Sequence, residues 1–229
     1  MKTIGLIGGM SWESTVEYYR MINEEVKHRL GGLHSAKCLL YSVDFEEIER
    51  CQSEGNWQKA GLILGDVAQR LEKGGADFIV ICTNTMHKVA EVIQEKISIP
   101  ILHIADATVK QIRKKSIRTV GLLGTKYTME QDFYKSRLKS NGIQVLVPGE
   151  FDREMINQVI YEELCVGTIK ESSKKQYQKV IQHLVDNGAE GIILGCTEIG
   201  LLVKPEDSEV PLFDTALIHA VEAVNKALG

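Results

Sequence analysis

Residues 75–85 read Gly-Ala-Asp-Phe-Ile-Val-Ile-Cys-Thr-Asn-Thr, and residues 188–198 read Gly-Ala-Glu-Gly-Ile-Ile-Leu-Gly-Cys-Thr-Glu. The two stretches align without a gap and set Thr83 against Cys196, each just past an apolar run of β-branched residues. Two further blocks repeat in the same order. Thr3–Gly9 returns as Thr119–Thr125, and Ile99-Pro100-Ile101-Leu102 returns as Val210-Pro211-Leu212-Phe213. The offset drifts slightly from block to block, as loops of unequal length would cause. The chain is therefore read as one duplication of a whole lobe, not as a short-period solenoid.

Within each half, apolar runs alternate with amphipathic stretches. The pattern predicts strands over 3–8, 37–43, 77–82 and 99–104, with helices over 13–30, 57–73 and 85–96. Val16, Tyr19, Ile22 and Val26 mark the apolar face of the first helix, and Gly74-Gly75 ends the second. The second half predicts strands over 118–123, 143–147, 190–195 and 210–213, with helices over 129–141, 152–165 and 171–187. Strands rich in Ile, Val and Leu, each followed by a helix, call for parallel sheets covered on both faces. The expected fold class is α/β, with two pseudo-symmetric doubly wound lobes over residues 1–100 and 101–214. A last helix over 215–229 is expected to return to the first lobe. Ligands bind at the carboxyl ends of strands in such sheets, so the site is expected in the cleft between the lobes.

The composition narrows the function. Of 229 residues, 44% are apolar and 25% charged, with a net charge of -4, which offers no electrostatic footprint for nucleic acid or an anionic membrane. Met1-Lys2-Thr3 runs straight into Ile4-Gly5-Leu6-Ile7-Gly8-Gly9, too short and glycine-rich for a signal sequence, and no apolar run reaches membrane-spanning length. The five cysteines are widely spaced and form no CxxC pair, which argues against zinc ribbons and disulfide frameworks and for a reducing cytoplasm. No metal-ligand spacing is present, and Gly5-x-x-Gly8-Gly9 is not the dinucleotide fingerprint, so neither metal nor cofactor is expected.

Cys196, in Leu194-Gly195-Cys196-Thr197-Glu198, is the candidate catalytic thiolate. A helical turn starting there would stabilise the anion and lower the thiol pKa. The competing reading of an isolated cysteine is a small buried hydrophobe. Thr83 opens a polar run with Asn84 and Thr85, which are suited either to donating to an anionic ligand or to capping a helix. Met10 and Ser11 after β-run 3–8, and Thr125 and Thr128 after 118–123, occupy matching strand-to-helix turns that can meet a carboxylate. Thr197 and Glu198 complete the second wall. His87, His103 and His219 lie near strand ends or helix starts and are read as hydrogen-bonded structural residues.

These residues resemble the aspartate/glutamate racemase family, and within it the L-Asp/Glu-specific and broad-specificity amino-acid racemases. The resemblance runs end to end and rests on Ile4–Thr15, Cys82–His87, Leu122–Met129, Gly195–Glu198 and Pro211–His219. It implies a PLP-independent racemase, a homodimer, acting on aspartate, glutamate or a related amino acid. One thiolate removes the α-proton and a group on the opposite face returns one. Thr83 stands where the family usually has its first cysteine. A threonine hydroxyl is a poor base, so Cys196 is expected to be the base and Thr83 the proton donor, with a bias toward the L-enantiomer. Cys82 is the neighbouring thiol, but strand alternation turns it to the other sheet face. The family's aspartate-specific members bind the distal carboxylate with an Arg and a Lys. Here those stretches read Asp44-Phe45-Glu46-Glu47 and Glu163-Leu164-Cys165, leaving either Gln52, Lys126 or His87 for that group or a substrate whose distal group is uncharged. The alternatives are a decarboxylase or cis-trans isomerase on the same scaffold, and a non-enzymatic two-lobed binding protein.

Overall fold

The computed structural model describes all 229 residues. The chain forms two compact units, Met1–Ile104 with His219–Gly229, and Ala105–Ile218. Each unit carries one four-stranded parallel sheet flanked by helices.

In the first unit the elements are β1 (Ile4–Gly8), α1 (Trp12–Leu30), β2 (Cys38–Ser42), α2 (Phe45–Ser53), α3 (Trp57–Lys73), β3 (Phe78–Ile81), a 3-10 turn (Thr85–Val89), α4 (Ala90–Gln94) and β4 (Ile101–Leu102). The sheet order is β2-β1-β3-β4, with Ile4 beside both Cys38 and Phe78. Every residue of β1 and β3 is buried, which is why both read as unbroken apolar runs.

The second unit repeats the plan with α5 (Ile104–Lys114), β5 (Thr119–Gly124), α6 (Lys126–Glu130), α7 (Asp132–Lys139), β6 (Gln144–Leu146), α8 (Glu150–Glu162), α9 (Glu171–Asp186), β7 (Ile192–Gly195), α10 (Ile199–Leu202) and β8 (Leu212–Asp214). Its sheet order is β6-β5-β7-β8, the same as in the first unit. Each unit has its own apolar core. One is built around Ile7, Leu64, Ile79 and Ile81, the other around Leu123, Ile181, Ile192 and Leu194.

The repeated block encodes a shared device. After α3, the Gly75 and Ala76 N–H groups donate to Glu72 and Leu71 carbonyls, and Gly75 takes a φ of 97°. After α9, Gly188 and Ala189 donate to Val185 and Leu184, and Gly188 also has a φ of 97°. Only glycine adopts this left-handed helix stop without a Cβ penalty. The acidic residue that follows then clamps the neighbouring strand. Asp77 accepts from Thr3 N–H at 2.6 Å, and Glu190 accepts from the N–H groups of Arg118 at 2.7 Å and Thr119 at 3.0 Å. Helix stop, strand start and pairing with the central strand are thus written in three residues, twice.

Several sequence expectations change. On α1 the inward face is Ser14, Thr15, Tyr18, Ile22 and Val26, while Val16 and Tyr19 are exposed. The reason is polar: the Thr15 hydroxyl donates to Ser11 O at 2.7 Å and accepts from Gly9 N–H at 2.9 Å, which turns a hydrophilic residue inward. The predicted helix 85–96 is a 3-10 turn followed by the short α4. The predicted helix 129–141 is two helices broken at Gln131, whose backbone is extended (φ -82°, ψ 158°). The predicted strand 99–104 contracts to Ile101–Leu102 because it is an edge strand behind Pro100, and α5 starts at Ile104. Neither α5 nor α2 was expected. Short, polar α2 is started by Asp44, which accepts from Glu46 N–H at 3.2 Å.

The last helix, α11, spans Thr215–Leu228. From His219 onward it belongs to the first unit, where Lys2 N–H donates to Ala227 O at 2.8 Å. His219 Nε2–H donates to Leu102 O at 2.8 Å and Nδ1 accepts from the Tyr18 hydroxyl at 3.0 Å. Burial pushes the His219 pKa down to about 4, so the ring is neutral. No helix is long and apolar enough to cross a membrane.

Candidate active site

Cys196 follows the last residue of β7, and Cys196 O accepts from Ile199 N–H at 3.1 Å to begin the turn into α10. Its thiol donates to Glu198 Oε2 at 2.9 Å, and the Thr197 hydroxyl donates to the same oxygen at 2.8 Å. All three residues are buried. The expected lowering of the thiol pKa is not what this geometry produces. Burial, and next the adjacent Glu198 carboxylate, push the Cys196 pKa well above that of an ordinary thiol. The four residues of α10 provide too weak a dipole to offset this. Cys196 therefore rests as a thiol with a carboxylate acceptor already in contact. Glu198 was expected at the substrate; the structure shows one of its oxygens engaged by the cysteine.

In the first unit, Thr83 stands two residues past β3 and is partly buried. Its hydrogen bonds run through the backbone: Thr83 N–H donates to Ile81 O at 2.9 Å, and Thr83 O accepts from His87 Nδ1–H at 2.8 Å. Asn84 precedes the 3-10 turn, but its side chain makes no capping bond, so capping does not account for it. Asn84 and Thr85 are both buried. Cys82 is completely buried, its thiol donating toward Val80 O at 3.9 Å and its pKa raised by desolvation.

The other expected residues divide by role. Met10 packs into the first apolar core. Ser11 caps α1, its hydroxyl accepting from Ser14 N–H at 3.5 Å. Thr125 caps α6 in the same way, accepting from Thr128 N–H at 3.3 Å, with the two hydroxyls 3.2 Å apart. Of the three residues considered for a distal group, Gln52 is buried with Nε2 on Met86 Sδ at 3.1 Å. Lys126 is paired with Glu154 at 3.1 Å on the surface. His87 has both ring nitrogens committed, Nδ1 to Thr83 O and Nε2 to Ile104 N–H at 3.2 Å. No group of three or more His, Cys, Asp or Glu side chains is placed to hold a metal ion.

Each unit thus ends its equivalent strand in a group that can carry a proton, a cysteine with a carboxylate partner in one and a threonine hydroxyl in the other. The family model for Asp/Glu/hydantoin racemases matches residues 7–223. This chain belongs to that family. It is therefore an isomerase, and the reading as a two-lobed binding protein falls away. The racemase is 28% identical to the broad-specificity amino-acid racemase RacX of Bacillus subtilis over 99% of this chain and 98% of that one. A Yersinia pestis crystal structure, provisionally described as an Asp/Glu racemase, matches with a TM-score of 0.93 and 57% identity over the whole of both chains. The crystal structure of an aspartate racemase homologue from Pyrococcus horikoshii matches with a TM-score of 0.87 and 36% identity, again over both chains in full.

What sequence reading missed in this racemase is the pairing of Cys196 with Glu198. The signal was present in the spacing: two residues apart across a tight turn, side chains can fold onto each other, and a buried carboxylate requires a donor.

Proposed function

We propose that this amino-acid racemase interconverts the enantiomers of aspartate, glutamate or a related amino acid without PLP, with Cys196 as the base and Thr83 as the proton donor. Cys196 first passes its thiol proton to Glu198, giving a thiolate and a carboxylic acid. The thiolate then takes the substrate α-proton, leaving its electron pair delocalised into the substrate carboxylate. Thr83 delivers a proton to the other face of Cα as its hydroxyl takes one from water, so that no free alkoxide accumulates. The observation that carries this reading is the 2.9 Å bond from Cys196 Sγ to Glu198 Oε2, which gives an otherwise protonated thiol a place to send its proton.

Thr83 has no comparable acceptor, which suits a donor and not a base. The enantiomer whose α-hydrogen faces Cys196 therefore exchanges that hydrogen faster, and the resemblance to L-specific members assigns that preference to the L-form. Hydrogen bonds to the substrate carboxylate supply the remaining stabilisation, with Asn84, Thr85 and Thr197 as the proposed donors. Incubating L-aspartate and L-glutamate in deuterium oxide with wild type and Cys196→Ala tests this reading. Deuterium should enter at Cα with wild type and fall by at least ~10²-fold with the variant, the scale of general acid–base catalysis. Undiminished exchange in Cys196→Ala would overturn the assignment.

A further inference from the structure

Three buried histidines meet in the first unit. The ring centroids of His87 and His103 are 4.5 Å apart and those of His87 and His219 are 5.6 Å apart, both edge-on. His87 comes from the 3-10 turn after β3, His103 from the end of β4 and His219 from α11.

The partners of His87 fix its chemical form. Thr83 O can only accept, so Nδ1 carries the hydrogen in the 2.8 Å contact. Ile104 N–H can only donate, so Nε2 is unprotonated in the 3.2 Å contact. His87 is thus a neutral Nδ1–H tautomer that ties the segment leaving β3 to the start of α5. A cationic ring has no lone pair for Ile104, and the Nε2–H tautomer has no hydrogen for Thr83.

We infer that His87 is a positioning residue for Thr83, acting through the Thr83 carbonyl to fix the direction from which its hydroxyl delivers a proton. This rests on the proton-donor role proposed above for Thr83. The carbonyl of the peptide linking Thr83 to Asn84 is held by that bond, and Thr83 N–H is held at Ile81 O on the other side. With both backbone groups fixed, the Cα–Cβ direction of Thr83 is fixed too. Losing the ring frees the carbonyl, and a displacement of about 1 Å at a reacting group costs on the order of 10²-fold in rate. The loss is selective. Cys196 and Glu198 belong to the other unit, so α-proton removal and its return from the Cys196 side do not depend on His87.

The test compares two rates on L-glutamate in deuterium oxide: deuterium entry at Cα with retained configuration, and formation of the D-enantiomer. In His87→Ala the ratio of inversion to exchange should fall by ~10-fold or more. His87→Asn keeps an N–H donor near the Nδ1 position and should recover most of that ratio. His87→Gln reaches toward Nε2 and lacks the Nδ1 donor, so it should behave like His87→Ala. Nitrogen-15 spectra of the wild type should show His87 protonated at Nδ1. A parallel fall of both rates in His87→Ala, equal ratios in the Asn and Gln variants, or an Nε2–H ring would each overturn the inference while leaving the racemase reading intact. Absence of exchange in the wild type would overturn the racemase reading and this inference with it.

Discussion

Acidification should unlock the first unit through His219, by an amount the structure allows to be worked out. The ring is completely buried between Tyr18 and Leu102 O, and desolvation holds its pKa at about 4 against an ordinary 6.5, outweighing the backbone bond and the Glu222 charge. A depressed histidine pKa means that the unfolded chain binds more protons than the folded one. The associated stability is present above the unfolded value and is lost as pH falls from about 6.5 toward about 4. At about pH 5 the linkage relation gives a loss of ~2 kcal/mol, approaching ~3 kcal/mol below about pH 4. Both tryptophans, Trp12 and Trp57, lie in the first unit, so their fluorescence during urea unfolding reports on that unit. Unfolding is compared at about pH 7.5 and about pH 5 in wild type and His219→Gln, a variant without a titratable ring whose amide can still meet Leu102 and Tyr18. The acid-induced loss should be smaller in the variant by ~2 kcal/mol. Carboxylates and the other histidines are common to both proteins and cancel. Equal losses to within ~0.5 kcal/mol, the usual additivity limit, would refute the assignment of acid sensitivity to His219.

Two further outcomes bear on the chemistry. Glu198→Gln keeps a hydrogen-bond acceptor beside Cys196 but cannot take its proton, so kcat for α-proton exchange should fall by ~10²–10⁴-fold with little change in KM. Thr83→Cys places a thiol, a far stronger acid than a hydroxyl, in the first unit, and circular dichroism should show turnover of the D-enantiomer rising by at least ~10-fold.

The sheets were legible because their signal is local and repeated. Phe78–Ile81 and Ile192–Gly195 are short apolar runs fixed in place by the glycine stop before them and the acidic clamp at Asp77 or Glu190. Elements without such a signal were lost. α2 is nine residues with four acids or bases among its first six, and β4 is two residues long, so Ile104 reads equally well as the end of a strand or the start of a helix. For the candidate site the sequence offers residue types and not their electrostatics. A strand end followed by a turn predicts a stabilised thiolate. The spacing of Cys196 and Glu198 permits their contact, and the folded chain makes it, setting a carboxylate against the thiol at 2.9 Å. The two bonds of His87 are equally hidden, because both partners are backbone groups and leave no mark on the sequence.

The duplication also explains how two equivalent strand ends came to hold different chemistry. In the aligned blocks Thr85 stands where Glu198 does, and His87 stands where Gly200 does. Neither partner can simply be exchanged. A side chain at Gly200 would run into the Asp214 carboxylate, which accepts from Ala216 N–H at 2.9 Å and Leu217 N–H at 3.1 Å to start α11. The second half therefore has no room for a histidine acting on its own strand end, and has a carboxylate two residues after the cysteine instead. The first half has the histidine and only a hydroxyl at the carboxylate's position. In the proposed mechanism the base sends its own proton to Glu198, whereas the donor needs only direction, which the Thr83 carbonyl bond would supply. The two sheets share one strand order, and on the proposed mechanism the difference between abstracting and returning a proton lies in the partner each strand end holds.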